Sequence, residues 1–229
     1  MEHLPGHPGS NDPRESPGRL GPATDASPPV AAHGSRARQR EETRERIFET
    51  ALREFREVGL SAARIERIAK KAGVARGTFY FHFPTKEDVM LELARRINAR
   101  IVRRMARIVA EEPGLRAFLL RLNEVLIDEH ARIGEAGLHA ELISLYIRRP
   151  YDLSDPLHNV PTLNDELGRF LNGIIQRGEL KLRLPVDQLS VVILSSLFGV
   201  LARMRLGEEM RTTCNSLVEL LVLGLEAEA

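Results

Sequence analysis

Between Arg64 and Lys86 the chain carries a pattern that admits few folds. Ile65, Ile68, Ala69 and Ala72 recur at helical spacing on one face, and Gly73 stands where a helix ends in a left-handed turn. Val74 can plug that turn against a core. Ala75 to Phe83 then forms a second short helix that Pro84 cannot continue. Two short helices joined by a tight turn make a helix-turn-helix.

On the second helix Phe79 and Phe83 are four residues apart and share a face, while Arg76, Thr78, Tyr80 and His82 project from the rest of its surface. A basic, hydroxyl-bearing surface on a two-turn helix suits a DNA major groove. Arg76 and Thr78, near its amino end, can reach base edges, and Tyr80, His82 and Lys86 can hold phosphates.

Ile68 to Val74, then Gly77-Thr78-Phe79-Tyr80, then His82-Phe83-Pro84-Thr85-Lys86 resemble the DNA-binding domain of the tetracycline-repressor (TetR/AcrR) family of bacterial regulators. The similarity runs from about Thr43 to Leu91, roughly a fifth of the chain. With the resemblance, the candidate DNA contacts are Arg64, Ala75, Arg76, Gly77, Thr78, Tyr80, His82 and Lys86. The chain departs from the family at Arg64, where a capping threonine is usual. Arginine cannot accept the amide hydrogen bond of a cap, a loss of about 1 kcal/mol. Either Ser61 caps from an earlier position or the helix start is looser, and a phosphate contact then passes to Arg64.

The formal net charge of +1 over 229 residues conceals a division. Arg36 to Arg107 holds 19 Lys+Arg against 10 Asp+Glu, whereas residues 1–35 hold 2 against 4 and residues 108–229 hold 12 against 18. A basic module joined to an acidic one fits a nucleic-acid reader with a separate regulatory body. Residues 1–35, rich in Pro, Gly and Ser with few large aliphatics, read as a disordered tail. Arg36 to Arg40 then reads either as an arm for a neighbouring minor groove or as solvated charge.

The remaining elements read as helices, so the expected fold is all-α. A three-helix DNA-binding domain over 36–84 is followed by a helical regulatory and dimerisation domain over 85–229. Thr43 is a plausible cap for a first helix ending at Val58 before Gly59, with Ile47, Phe48, Ala51, Leu52 and Phe55 as its apolar stripe. Thr85 with Asp88 forms a capping-box pattern that opens a long helix to about Val109, a rod of roughly 35–40 Å. Further helices are expected over 115–131, 138–147, 164–178, 186–206 and 213–225, with residues 150–161 as a loop. The longest apolar run, Val191 to Ala202, falls short of the roughly 20 residues of a membrane span. With no secretory signal pattern and the lone Cys214, a reducing cytoplasm is the expected location, with no membrane partner.

The common zinc-protease and phosphate-loop signatures are missing. Residues three before His130, His139 and His158 are Ile127, Ala136 and Asp155, which excludes a di-iron Glu-x-x-His pair. No catalytic residue, metal or cofactor is expected, and Cys214 reads as a small core residue.

The last two helices carry more apolar surface than one small domain needs. Leu197, Val200, Leu201, Met204, Leu217 and Leu221 are the candidate contacts of a homodimer built as a four-helix interface, which the resemblance also implies. Polar residues among apolar neighbours in the middle helices suit a ligand cavity, with Ile101, Met105, Asn123, Tyr146 and Phe170 as candidate lining. The expected function is a DNA-binding regulator acting on a pseudo-palindromic operator. The resemblance makes it a repressor released by a small hydrophobic effector. An activator of the same fold, or an all-helical enzyme or carrier, remains the alternative.

Overall fold

The computed structural model describes residues 30–111, 113–133, 136–148, 161–205 and 207–226. Its contacts divide the chain into two compact units, residues 1–39 and 40–229, and the packing below is that of the second. The described residues are helical, with no strand among them. The loop expected over 150–161, apart from Pro161, and residues 1–29 of the tail expected over 1–35 lie outside the described residues.

The first helix, α1 (Val30–Val58), begins well ahead of the cap expected at Thr43 and inside the expected tail. The run from Ser35 to Glu42 explains the difference, because its Arg, Ala, Gln and Glu residues are good helix formers with no breaker among them. Ile47, Phe48, Ala51, Leu52 and Phe55 are buried, and Gly59, at φ 80°, takes the left-handed conformation that stops the helix.

Helices α2 (Ile65–Lys71) and α3 (Arg76–His82) follow. Gly73 turns the chain at φ 66°, and the Val74 amide donates back to the Ala69 carbonyl at 3.0 Å. Ile68, Ala69, Ala72, Phe79 and Phe83 are buried against α1, where Phe48 stacks on Phe83 at 6.4 Å between ring centroids. Glu54 of α1, fully buried, accepts hydrogen bonds from Arg67 and from Lys71 of α2, and Arg46 donates to the Ala72 carbonyl at 2.9 Å. A buried carboxylate with two cationic partners fixes α2 on α1, since pulling α2 away would remove both cations and leave a buried charge uncompensated.

The long helix α4 (Lys86–Val109) starts in the expected capping box, with the Thr85 hydroxyl accepting from the Asp88 amide and the Asp88 carboxylate accepting from the Thr85 amide. Its first half belongs to the three-helix module. Arg44 donates to Glu92 at 2.9 Å, while Arg96 bonds Glu92 at 2.8 Å and both carboxylate oxygens of Glu45 at 2.8 and 2.7 Å. Its second half packs on α5 (Leu115–Ala131), α6 (Ala136–Arg148) and α7 (Leu163–Gln176). There Arg100 and Arg104 both reach Glu129 of α5, a carboxylate 1% exposed.

A second capping box, Thr162 with Asp165, opens α7, and Gly178 at φ 76° follows its end. Helices α8 (Val186–Arg203) and α9 (Glu208–Glu226) complete the body, α8 against α6, α7 and α9, and α9 also against α5. By length and composition α8 could cross a membrane, with 18 residues at a mean hydropathy of 1.5. In this fold Leu189, Ile193, Leu197 and Leu201 bury one face of it in the core. Cys214 is buried, and burial raises its thiol pKa, in keeping with a core role.

Candidate nucleic-acid interface

The aromatic pins Phe79 and Phe83 decide which side of α3 is free. Around the rest of the helix Arg76, Gly77, Tyr80 and Phe81 are exposed, and Thr78 and His82 are half-buried. Arg76 and Tyr80, one turn apart, form a unit in which the guanidinium donates to the Tyr80 hydroxyl at 3.1 Å. It also pairs with Glu66 of α2 at 3.0 Å, both partners well exposed. An exposed pair of this kind is weak and readily exchanged for a phosphate or a base edge. Burial lowers the His82 pKa, helped by the Arg40 and Arg44 charges, so at neutral pH it offers a phosphate one N–H and no charge.

Three other expected contacts fall as follows. Arg64 is exposed at the start of α2 in extended conformation, with no side-chain cap there, so the looser start of the two sequence alternatives describes that end. Ala75, likewise extended, precedes α3 without a side-chain cap. Lys86 is placed differently from expectation. Its ammonium donates to the carbonyls of Leu60, Ser61 and Ala63 at 2.7, 3.1 and 3.1 Å. An ammonium has three donors, so Lys86 ties α4 to the segment between α1 and α2 and has none left for a phosphate.

Of two further residues at this face, Phe81 was not singled out from sequence, and Arg40 was read only within the Arg36 to Arg40 run. Phe81 is 64% exposed, and the Arg40 guanidinium lies 4.9 Å from its ring centroid. The signal was a third phenylalanine in Phe79 to Phe83 that could not share the buried face of the other two. Arg40 of that run thus lies against the exposed face of α3.

The candidate ligand residues are all buried, and their contacts run to different helices. Ile101 and Met105 lie in the α4 core, and Phe170 stacks on Phe118 at 3.6 Å. Asn123 donates to Asn215 of α9 at 2.8 Å. Tyr146 stacks on Phe198 at 4.8 Å and donates to the Ala94 carbonyl of α4 at 3.3 Å. The expectation that Asn123 and Tyr146 share one surface is corrected, because they face different helices. Tyr146 instead belongs with His130 and His139, whose rings meet edge to face at 4.9 Å. His130 Nδ1 bonds the Leu126 carbonyl at 2.6 Å, which leaves Nε2 as an acceptor. Burial brings its pKa down to about 4, so it is neutral at pH 7. The buried Nε2 atoms of both histidines have no hydrogen-bond partner among the described residues.

The dimer candidates also divide. Leu197 and Leu201 are fully buried within the protomer, which corrects their assignment to its surface, whereas Val200, Met204, Leu217 and Leu221 are half-buried. The outward stripe runs through Val192, Ser196, Gly199 and Arg203 of α8 and through Thr213, Leu217, Leu220 and Gly224 of α9. A groove of about 580 Å³ lies between the two helices, and Leu220 and Leu223 are 68% and 62% exposed.

Comparison with known proteins bears on the same segments. Residues 47–93 match the model of the bacterial regulatory proteins of the tetR family. The HTH-type transcriptional regulator AcrR of Shigella flexneri is 35% identical over 97 residues, 40% of this chain and 45% of that relative, so the chain spans less than half of it. The fatty acid metabolism regulator protein of Bacillus subtilis is 28% identical over 191 residues, covering 78% of this chain and 93% of the relative. Among solved structures, the FadR transcriptional repressor of Thermus thermophilus in complex with lauroyl-CoA superposes with a TM-score of 0.62 at 25% identity, over 78% of this chain and 93% of that one.

Proposed function

We propose, for a chain that belongs by its amino-terminal domain to the tetR family of bacterial regulatory proteins, that it is a sequence-specific repressor. It acts as a homodimer on a pseudo-palindromic operator and is released by a small, largely apolar effector. The observation that carries this reading is the free face of α3, pinned from behind by Phe79 and Phe83 and bearing the Arg76–Tyr80 pair. Arg76 and Thr78 read base edges, and Tyr80, His82 and Arg64 hold phosphates. Ala75 and Gly77 let the backbone approach the duplex. A chromosomal target goes with a cytoplasmic location.

The second copy docks on the outward stripe of α8 and α9. Cβ atoms added at Gly199 and Gly224 would meet nothing within 4 Å inside the protomer, so their small size leaves room for helices from outside.

The effector enters at the His130, His139, Tyr146 and Phe198 cluster. Buried imidazole nitrogens without partners cost about 1–3 kcal/mol each, and a ligand that hydrogen-bonds them, with a donor for His130 Nε2, recovers that. The cluster is tied to α4 twice, by the Tyr146 bond to the Ala94 carbonyl and by Glu129, which precedes His130 and holds Arg100 and Arg104. A ligand that shifts α5 or α6 therefore acts on the helix that carries the DNA-binding module. The lauroyl-CoA complex of the Thermus thermophilus relative favours an acyl-type effector.

The test is selection from a random duplex pool by the purified protein, followed by titration of the enriched duplex over a range of salt. A palindromic sequence and a logarithm of affinity falling linearly with the logarithm of salt are expected. Enrichment of no sequence would contradict the reading.

A further inference from the structure

Phe81 holds a large apolar ring in water on a helix otherwise built for a charged partner. With 3.6 residues per turn, Gly77 and Phe81 each lie within about 20° of the direction opposite the buried Phe79, so they form the outermost line of α3. Nothing among the described residues requires glycine at 77. A Cβ there would meet nothing within 4 Å, and its φ is not in the left-handed range. The bare backbone at Gly77 can approach a surface closely, and the Phe81 ring, one turn on, is then what that surface meets first. A phenyl ring has no donor or acceptor, so it gains nothing from a phosphate. On a major-groove floor its one complementary group is the C5-methyl of thymine. Arg40 of α1 covers the ring's face at 4.9 Å, a cation–π contact that limits the ring's freedom and places a charge beside it.

We propose that Phe81 is a specificity-determining residue that reads the methyl group of one thymine in each half-site, with Arg40 stacked on its ring and directed at the flanking phosphate. This rests on the DNA-binding reading above and adds to it a base identity.

The experiment uses the duplex enriched from the random pool, with each thymine replaced in turn by deoxyuridine, symmetrically in both half-sites. This removes one methyl per half-site and no hydrogen-bonding group. For the wild-type protein one position loses about three- to fivefold per methyl, hence about tenfold or more for the pair, while the other positions change little. Phe81→Ala binds the thymine duplex more weakly and is indifferent to deoxyuridine at that position. Phe81→Leu keeps part of the discrimination. Arg40→Ala lowers affinity for both duplexes and reduces the salt slope. A flat deoxyuridine profile for the wild type, or a wild-type profile retained by Phe81→Ala, overturns the assignment while leaving DNA binding intact. Failure of the wild type to enrich any sequence removes the reading beneath it and the assignment together.

Discussion

At the scale of single residues, the account turns on what each charged group is already bonded to. Lys86 was legible in the sequence as a cation just after the recognition helix. Its three carbonyl acceptors were not, because they come from a loop more than twenty residues upstream and depend on how α4 is set against α1. Lys86→Ala is therefore expected to lower stability by about 1.5–3 kcal/mol in urea denaturation and to leave the salt slope of DNA binding unchanged. A flattened slope with unaltered stability would return Lys86 to the phosphate contacts. Glu92 supplies one part of the pH dependence. Burial alone would raise its pKa, but hydrogen bonds from Arg44 and Arg96 outweigh it and hold the pKa at about 2, against 4.5 when unfolded. A depressed carboxylate stabilises fully above the unfolded value and loses that contribution as pH falls from 4.5 towards 2, a total on the order of 3 kcal/mol. Urea midpoints measured from pH 6 to 3 should fall less steeply for Glu92→Gln than for wild type; parallel curves would show that the clamp contributes little.

Elements were most legible where one local signal decides them. Gly73 and Gly59 stop helices at positive φ as their positions implied, and Thr85 with Asp88 opens α4. The Thr162-to-Asp165 box carried the same signal three elements later, and it sets the start of α7. Facing was less legible. In α8 apolar residues cover more than half the circumference, so periodicity could not tell the arc of Leu197 and Leu201, which packs inward, from the arc of Val192 and Val200. That choice is made by α6, α7 and α9, which no local pattern in α8 encodes. Two charge substitutions separate the arcs. Leu220→Glu, at a position 68% exposed in the protomer, should give a folded, helical monomer by sedimentation and circular dichroism. Leu201→Glu, at a fully buried position, should not fold, since an unpaired buried charge costs several kcal/mol. A Leu220→Glu protein as dimeric as wild type would move the interface elsewhere.

For the whole molecule, the parts form one mechanical argument. α4 is clamped to the DNA-binding module through Arg44, Arg96 and Glu92, and to the body through Arg100, Arg104 and Glu129. On the proposed reading, a body that dimerises fixes the separation of two α3 helices, and an effector that displaces α5 or α6 changes it. Two such helices on one face of B-DNA must stand about 34–36 Å apart, one helical turn. The ligand site was the least legible part, because the contacts of Asn123, Tyr146 and Phe170 are decided by which helices they face. The central claim is that a dimer reads two half-sites at once with paired recognition helices. It is tested most directly by the affinity of the protein for its selected operator before and after inserting five base pairs, half a turn, between the half-sites. The predicted result is a loss of about a hundredfold or more, because the second half-site now faces away and only one helix engages. Unchanged affinity for the lengthened duplex would contradict paired reading by a dimer of fixed geometry.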